Sequence, residues 1–400
     1  MAHDQRMTGS DFVAYGTKTA QSRRILFFVT EDWFFVSHFL GLARAARDAG
    51  HVVGLATRLS KHRALLENEG FHIFALEGDR GALALREVWG ELKAMNAAIR
   101  DFRPDILHLI AIRAIAFGGL LALARRSLSV VIAPTGLGYL FSSASRSARL
   151  GRSILRRLVA YYAWSGRARF VFENGEDPAR FRLVARGPLV TIIGGAGVDQ
   201  RDFPPQAPPP AGAVRFALVA RMLRSKGIER AAEALRLARQ CGHAIELHIF
   251  GDIDTANPTS LERTHLEELA REPGIVWHGH VQDVRSIWRD CHAAILLSER
   301  EGMPRALAEA AASARPIIAS DVTGCREIVL HGVSGYLVAL GDIEATASAM
   351  VRLAADADQR RRMGEASRAH FETRFTLRAV STAMLRVYAE LMHTHGKAAG

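Results

Sequence analysis

Two glutamates, Glu301 and Glu309, stand eight positions apart in the stretch SEREGMPRALAEAAASARPIIASD. Proline is well placed as a first helical residue, where its missing N–H costs little, so the apolar run predicts a helix from Pro304 to about Ala312. Glu301 then lies in the loop before the helix and Glu309 inside it. A helix start offers unpaired N–H groups and a partial positive charge, which together suit an anion. Gly302 lets the backbone approach a ligand closely. A second reading makes Glu301 a favourable charge near the helix dipole and Glu309 a solvated helix residue. On this motif alone both readings stay open.

Two further stretches add chemistry. In ARMLRSKGIERA, Arg221 follows an expected strand and Lys226 precedes Gly227 and the next helix. Two cations on one strand-end loop can grip a diphosphate, and a charge-assisted hydrogen bond is worth roughly 1.5–3 kcal/mol, against about 0.3–1 for an exposed helix-dipole contact. In GGAGVD, Gly195 and Gly197 allow close backbone approach after an apolar strand. This is not a full dinucleotide fingerprint, because Gln200 occupies its last position. GDID, starting at Gly251, has the spacing of a metal-binding aspartate pair but follows a strand as a turn would, and no metal site is expected.

Positioning these groups requires strands that end beside one another. Short apolar runs alternate with helical patterns from RRILFFVT through HVVGLAT, PDILHLI, SVVIAPT, ARFVFEN and LVTIIGGAG. The proline-rich DFPPQAPPPAGA interrupts the rhythm, since proline neither donates a backbone hydrogen bond nor continues a helix. The alternation resumes at VRFALVAR and runs through RPIIASD. It predicts an α/β protein of two Rossmann-like, doubly wound units facing across a cleft, with ligands beyond the carboxyl ends of the strands. The expected divisions are a flexible tail over 1–22, a first unit over 23–201, a linker over 202–213 and a second unit over 214–374. Helices at about 375–395 are free to pack back on the first unit.

Composition bounds the function. With 400 residues and 49% apolar content, two cores of roughly 200 residues each are sustainable. The net charge of +11 suits nucleic acid, an anionic membrane or an acidic small molecule. No nucleic-acid module accompanies the arginines, so nucleic acid is excluded. Cys241, Cys291 and Cys325 fit no zinc or disulfide spacing and read as core residues of a cytoplasmic protein. Residues 1–22 lack the apolar core of a secretory signal. ILHLIAIRAIAFGGLLALA is broken by His108 and Arg113, so no transmembrane helix is expected.

The three motifs, in this order on two such halves, resemble the retaining glycosyltransferases of family 4, which have the GT-B fold. The resemblance covers nearly the whole chain and is most specific at Glu301, Glu309, Pro316 to Asp321 and Gly324 to Val329. It implies a nucleoside-diphosphate sugar as donor, UDP being expected, with Glu301 facing the sugar, Glu309 holding the ribose, and Arg221 and Lys226 on the diphosphate. Glu301, Arg221 and Lys226 form the catalytic set. Gly195, Gly197, Gly251, Gly302, Met303, Pro304 and Leu307 complete the donor site, with no cofactor and no metal.

The chain departs from the family at Ala314, where glycine is usual after the helix, and at Ile110, where many members carry a second histidine. His108 reads as a strand residue rather than a catalyst. EDWFFVSHFLGLARAARDAGH, PDILHLIAIRAIAFGG, PTGLGYLFSS and FVFENGED resemble the branch that extends lipid-diphosphate-linked sugars in capsule, exopolysaccharide or O-antigen synthesis. That branch implies a polyprenyl-diphosphate-linked saccharide acceptor, touched by Trp33, Phe34, Ser37, His38, Thr135, Gly136 and Tyr139.

Between Ser145 and Phe170 lie seven arginines and no acid. Helical periodicity puts Arg146, Arg149, Arg152 and Arg156 on one face, and Leu150, Ile154, Leu158 and Tyr161 on another. With Arg157, this basic face is expected on the anionic inner leaflet, making the protein peripheral there. The alternative is a core-facing helix with a solvated arginine face. Rival functions are a non-catalytic GT-B scaffold that binds nucleotide sugars and a nucleotide-sugar 2-epimerase. A glycoside hydrolase is disfavoured, because its two carboxyls must face one bond about 5–10 Å apart, whereas Glu309 is assigned to the ribose.

Overall fold

A computed structural model describes residues 22–76, 85–135, 140–141, 143, 145–210, 212–255, 257 and 259–396. Gly136 and Tyr139, expected at the acceptor, and the tail over 1–21 lie outside the described residues. The first half forms β1 (Arg24–Glu31), β2 (Val52–Arg58), β3 (His72–Ala75), β4 (Ile106–Ile110), β5 (Ser129–Ala133), β6 (Ala168–Phe172) and β7 (Val190–Ile192), in the order β3-β2-β1-β4-β5-β6-β7. The second forms β8 (Val214–Val219), β9 (Ile245–Phe250), β10 (Ile275–Trp277), β11 (Ala293–Leu296), β12 (Ile317–Ser320) and β13 (Gly335–Val338), in the order β10-β9-β8-β11-β12-β13. The strand pairs are parallel. β4, β5 and β6 are buried along their whole length, because helices cover both faces of a parallel sheet and no alternation with polar residues is needed.

The strand order of each sheet reverses once, between β1 and β4 and between β8 and β11, and such a switch point opens a crevice at the carboxyl ends of the strands. The two crevices face each other. The linker is held by the second half: Arg315 donates to the carbonyls of Gln206 (3.2 Å) and Ala207 (2.7 Å), and Arg368 to that of Phe203 (2.9 Å). Burial lowers the Arg315 pKa to about 10.

The chain crosses back at its end. Leu377 N donates to the Val198 carbonyl at 2.9 Å, and the helix Leu377–Gly396 lays Val380, Met384, Val387, Tyr388 and Leu391 into the core of the first sheet. These positions recur at helical spacing, so one stripe is buried. His108 shares a 2.8 Å hydrogen bond with the Tyr388 hydroxyl. Burial lowers its pKa to about 3. His108 is therefore a neutral strand residue that ties the last helix to β4.

Among the described residues no helix is long and apolar enough to cross a membrane. Ala314 adopts a left-handed φ of 56°, the less favourable exit expected where glycine is absent.

Candidate functional site

Tight turns bring the strand ends together. Gly227 has φ 77°, and a side chain there would meet the Leu297 carbonyl at 2.3 Å, so the loop bearing Lys226 lies directly on the end of β11. Gly251 (φ 140°) likewise leaves only 1.7 Å between an added Cβ and the Ala220 carbonyl, which presses the β8 and β9 loops together. Pro304 caps the helix Arg305–Ala312 instead of opening it, one position from the expected start. An added Cβ on Gly324 would lie 2.4 Å from the Gly302 carbonyl, so the next helix start supports the Glu301 loop from behind.

Lys226 Nζ lies 2.6 Å from Glu301 Oε1, and the Ser298 hydroxyl donates to the same oxygen at 2.6 Å. Arg221 is paired with Asp254 at 2.8 Å. Asp254 thereby serves the arginine, while Asp252 accepts from the Ile253 amide; no group of three or more metal-ligating side chains assembles among the described residues. A cavity of about 440 Å³ opens beside Arg221, lined by Phe250, Gly251, Asp252, Asp254 and His280, with Trp33 reaching it from the first half. Trp33, expected at the acceptor, therefore also borders the donor half.

Glu309 is buried, which raises its pKa, and Arg305 at 2.8 Å pulls the other way. The same arginine crosses the cleft to donate to the Ser37 carbonyl. Ser37 Oγ and His38 Nδ1 are 2.6 Å apart, and the Phe34 ring lies 4.4 Å from that of His38. Burial, then Arg305, lowers the His38 pKa to about 4, so the imidazole is neutral. The β7 glycines divide: an added Cβ on Gly195 would meet Met303 Cγ at 2.5 Å, whereas on Gly197 it would meet Leu377 Cα at 2.8 Å. Glycine at 197 is demanded by the returning chain.

Sequence reasoning missed the opposing wall. Glu173 follows β6, and its carboxyl is pushed up to about 8 by burial, then by the charges of Asp177 and Glu301. Asn174 Nδ2 donates to Asp177 at 2.9 Å and reaches the Gly302 carbonyl at 3.5 Å; Gly175 N donates to Glu327 at 3.2 Å; Glu176 accepts from Thr323 at 2.8 Å. The signal was the run of acids in FENGED directly after a strand.

The basic helix also differs from expectation. It spans Arg146–Ser165 and buries Leu155, Leu158, Val159 and Tyr162, leaving Leu150 and Ile154 at 62% and 50% exposure on the outside. Arg152 turns inward to the carbonyls of Leu140 and Ser143. Arg167 and Arg169 are buried near the strand and bond to backbone carbonyls. Of the four apolar residues grouped by periodicity, only Leu158 is buried, because periodicity groups residues without saying which group meets the sheet.

Residues 24–164 match the family described as Glycosyl transferase 4-like, and residues 213–356 match Glycosyl transferases group 1. The capsular polysaccharide biosynthesis glycosyltransferase CapM of Staphylococcus aureus is 28% identical over 158 residues, 40% of this chain and 41% of CapM. The amylovoran biosynthesis glycosyltransferase AmsK of Erwinia amylovora is 30% identical over 170 residues, covering 40% of this chain and 41% of AmsK. The chain thus spans about two fifths of the length of these curated relatives. HepE of Anabaena, solved with UDP and glucose, superposes with a TM-score of 0.73 at 16% identity, covering 92% of this chain and 99% of HepE, a likeness of fold. This chain is a GT-B protein related in its first half to the 4-like glycosyl transferases and in its second to group 1.

Proposed function

We propose that the protein is a retaining glycosyltransferase that moves a hexose or N-acetylhexosamine from a nucleoside-diphosphate sugar, with UDP expected, to a lipid-linked saccharide in surface polysaccharide synthesis. The observation that carries this reading is the meeting of Lys226, Glu301 and Ser298 within 2.6 Å contacts at the carboxyl ends of β8 and β11, on the same β8 loop as Arg221, which lines the cavity. The cavity takes the nucleoside, Arg221 and Lys226 take the diphosphate, and Glu309 takes the ribose.

Charge builds on the departing diphosphate as the sugar bond breaks. Fixed cations aimed at that charge stabilise the transition state without reorganising, so the reading needs no metal. Glu301, already oriented by Ser298 and Lys226, exchanges part of its bond to Lys226 for the sugar hydroxyls. The resemblance implies retention, with a phosphate oxygen of the donor receiving the acceptor proton. CapM and AmsK carry names in capsular and amylovoran biosynthesis, and HepE was solved with UDP, which supports the pathway and donor class.

The acceptor side is assigned to Trp33, Phe34, Ser37, His38 and Thr135, on the first half across the cleft. Calorimetric titration with UDP, GDP and ADP, without and then with magnesium, tests the donor site. Metal-independent binding of one nucleotide, lost in Lys226→Ala, is the expected result. Absence of binding by all three would sink the assignment, and release of nucleoside diphosphate with an epimerised free sugar would replace transfer with 2-epimerisation.

A further inference from the structure

On the outside of the first half, a cavity of about 580 Å³ lies between the helix Arg146–Ser165 and the segment 181–183. Arg149, Arg156, Arg157 and Arg182 line it over Phe181 and Leu183, and no lining residue is acidic. Arg156 is held by the Arg180 carbonyl at 2.9 Å. Among the described residues, Arg149, Arg157 and Arg182 have no carboxylate partner. Arg182 sits at φ 62°, a left-handed position after a short helix where glycine or asparagine is the low-strain choice. The chain tolerates that conformation and adds a fourth guanidinium to the cavity.

The helix next to this cavity has an unusual outer line. At 100° per residue, Leu150, Ile154, Arg157, Tyr161 and Trp164 fall within about 80° of one another. Leu150 and Ile154 are half-exposed or more, and Trp164 is 84% exposed. Leu120 and Val184, on neighbouring segments, are exposed as well. Apolar side chains with an aromatic, bordered by unpaired arginines, match the composition of a lipid–water interface rather than that of bulk water.

We propose that this arginine cavity is a binding site for the phosphate group of an acidic phospholipid, with Leu150, Ile154 and Trp164 entering the acyl boundary beside it. The occupant is a membrane lipid and not a free anion, because the apolar line adjoins the cavity and gives no advantage to a soluble ligand. Arg152 of the same helix holds the carbonyls of Leu140 and Ser143, which fixes the start of the helix beside the cavity. The phospholipid site deepens the lipid-linked acceptor reading and rests on it.

The test is flotation of the full chain with phosphatidylcholine vesicles, with and without phosphatidylglycerol. Wild type should float only with phosphatidylglycerol. Arg149→Gln with Arg182→Gln should lower partitioning by about 30-fold, from about 1 kcal/mol for each arginine at an anionic surface. Arg103→Gln with Arg271→Gln removes the same net charge away from the cavity and should change it little. Leu150→Ser with Trp164→Ser should leave binding that raised salt abolishes.

Equal losses in the two arginine pairs would reduce the effect to net charge and overturn the site. Saturable inorganic phosphate binding, lost in Arg149→Gln/Arg182→Gln while flotation is unchanged, would give the cavity to a soluble anion and overturn the lipid assignment. UDP titration of the same variants should be unaltered, so failure of the donor reading shows in wild type independently of the vesicles. Unchanged melting temperatures confirm that each variant is folded.

Discussion

The cations at the ends of β8 and those on the helix Arg146–Ser165 are arranged in opposite ways. Lys226 and Arg221 each have a carboxylate, Glu301 at 2.6 Å and Asp254 at 2.8 Å. Arg149 and Arg157 on the helix, and Arg182 on the segment beside it, have none among the described residues. A paired cation is held in place before a ligand arrives, part-buried at Lys226 and half-exposed at Arg221, and such preorganisation is what stabilising a developing charge requires. An unpaired exposed arginine keeps its freedom and serves a surface whose charges are mobile and whose attraction salt screens. In the two proposals the same residue chemistry therefore serves as a fixed clamp on a diphosphate in one region and as a cavity for a lipid phosphate in the other.

Breaking the clamp should have the largest effect. In the proposed reaction Lys226→Ala removes one fixed cation from the departing diphosphate, and about 10²–10³-fold lower turnover is expected, as for loss of one preorganised donor. Steady-state kinetics on the folded variant checks it; turnover within a few-fold of wild type would show that the pair with Glu301 is only structural.

Freeing the other cation sharpens the contrast. Asp254→Asn leaves Arg221 without its competing carboxylate, and nucleotide affinity should rise by about 5-fold, the scale of a charge interaction near 1 kcal/mol at a half-exposed site. Calorimetry reads this directly. Weaker binding would mean that Asp254 positions Arg221 instead of competing for it.

Glu173 extends the comparison to the opposing wall. Its carboxyl pKa is raised from 4.5 to about 8, so the folded chain retains a proton that the unfolded chain has released across that window. Stability from this group therefore falls as pH rises from about 4.5 through about 8. Glu173→Gln should flatten that part of the profile, seen as a smaller drop in melting temperature between pH 6 and pH 9. An unchanged slope would remove Glu173 as its source.

The smallest effect concerns the frame beneath the donor loop. Ala314→Gly should relieve a left-handed alanine and stabilise the second half by about 1 kcal/mol or less. Gly364 must remain glycine, since a side chain there would meet the Ala314 carbonyl at 2.2 Å. A lower melting temperature for Ala314→Gly would show that packing of the methyl outweighs the backbone strain.

The strand rhythm and the positions of Arg221, Lys226, Glu301 and Glu309 after strands were legible because buried parallel strands are continuous apolar runs, and polar residues at their ends stand out. Glu173 was harder to recognise, since FENGED reads as another polar turn until the second half docks against it. Which face of the helix Arg146–Ser165 is buried was not legible for a related reason: angular spacing groups Leu150 with Ile154, while only the neighbouring sheet decides which group is buried. Arg305 gave no local sign of reaching across the cleft to Ser37.

By itself the sequence determined local matters: which segments are strands, where glycine is forced, and which charged side chains stand at strand ends, because these follow from backbone sterics and short-range periodicity. Only the tertiary structure decided which charges meet. Lys226 and Glu301 are 75 positions apart and Glu173 and Glu301 still farther, and such juxtapositions, with the burial that raises the Glu173 pKa, exist only once both sheets and the returning C-terminal helix are packed.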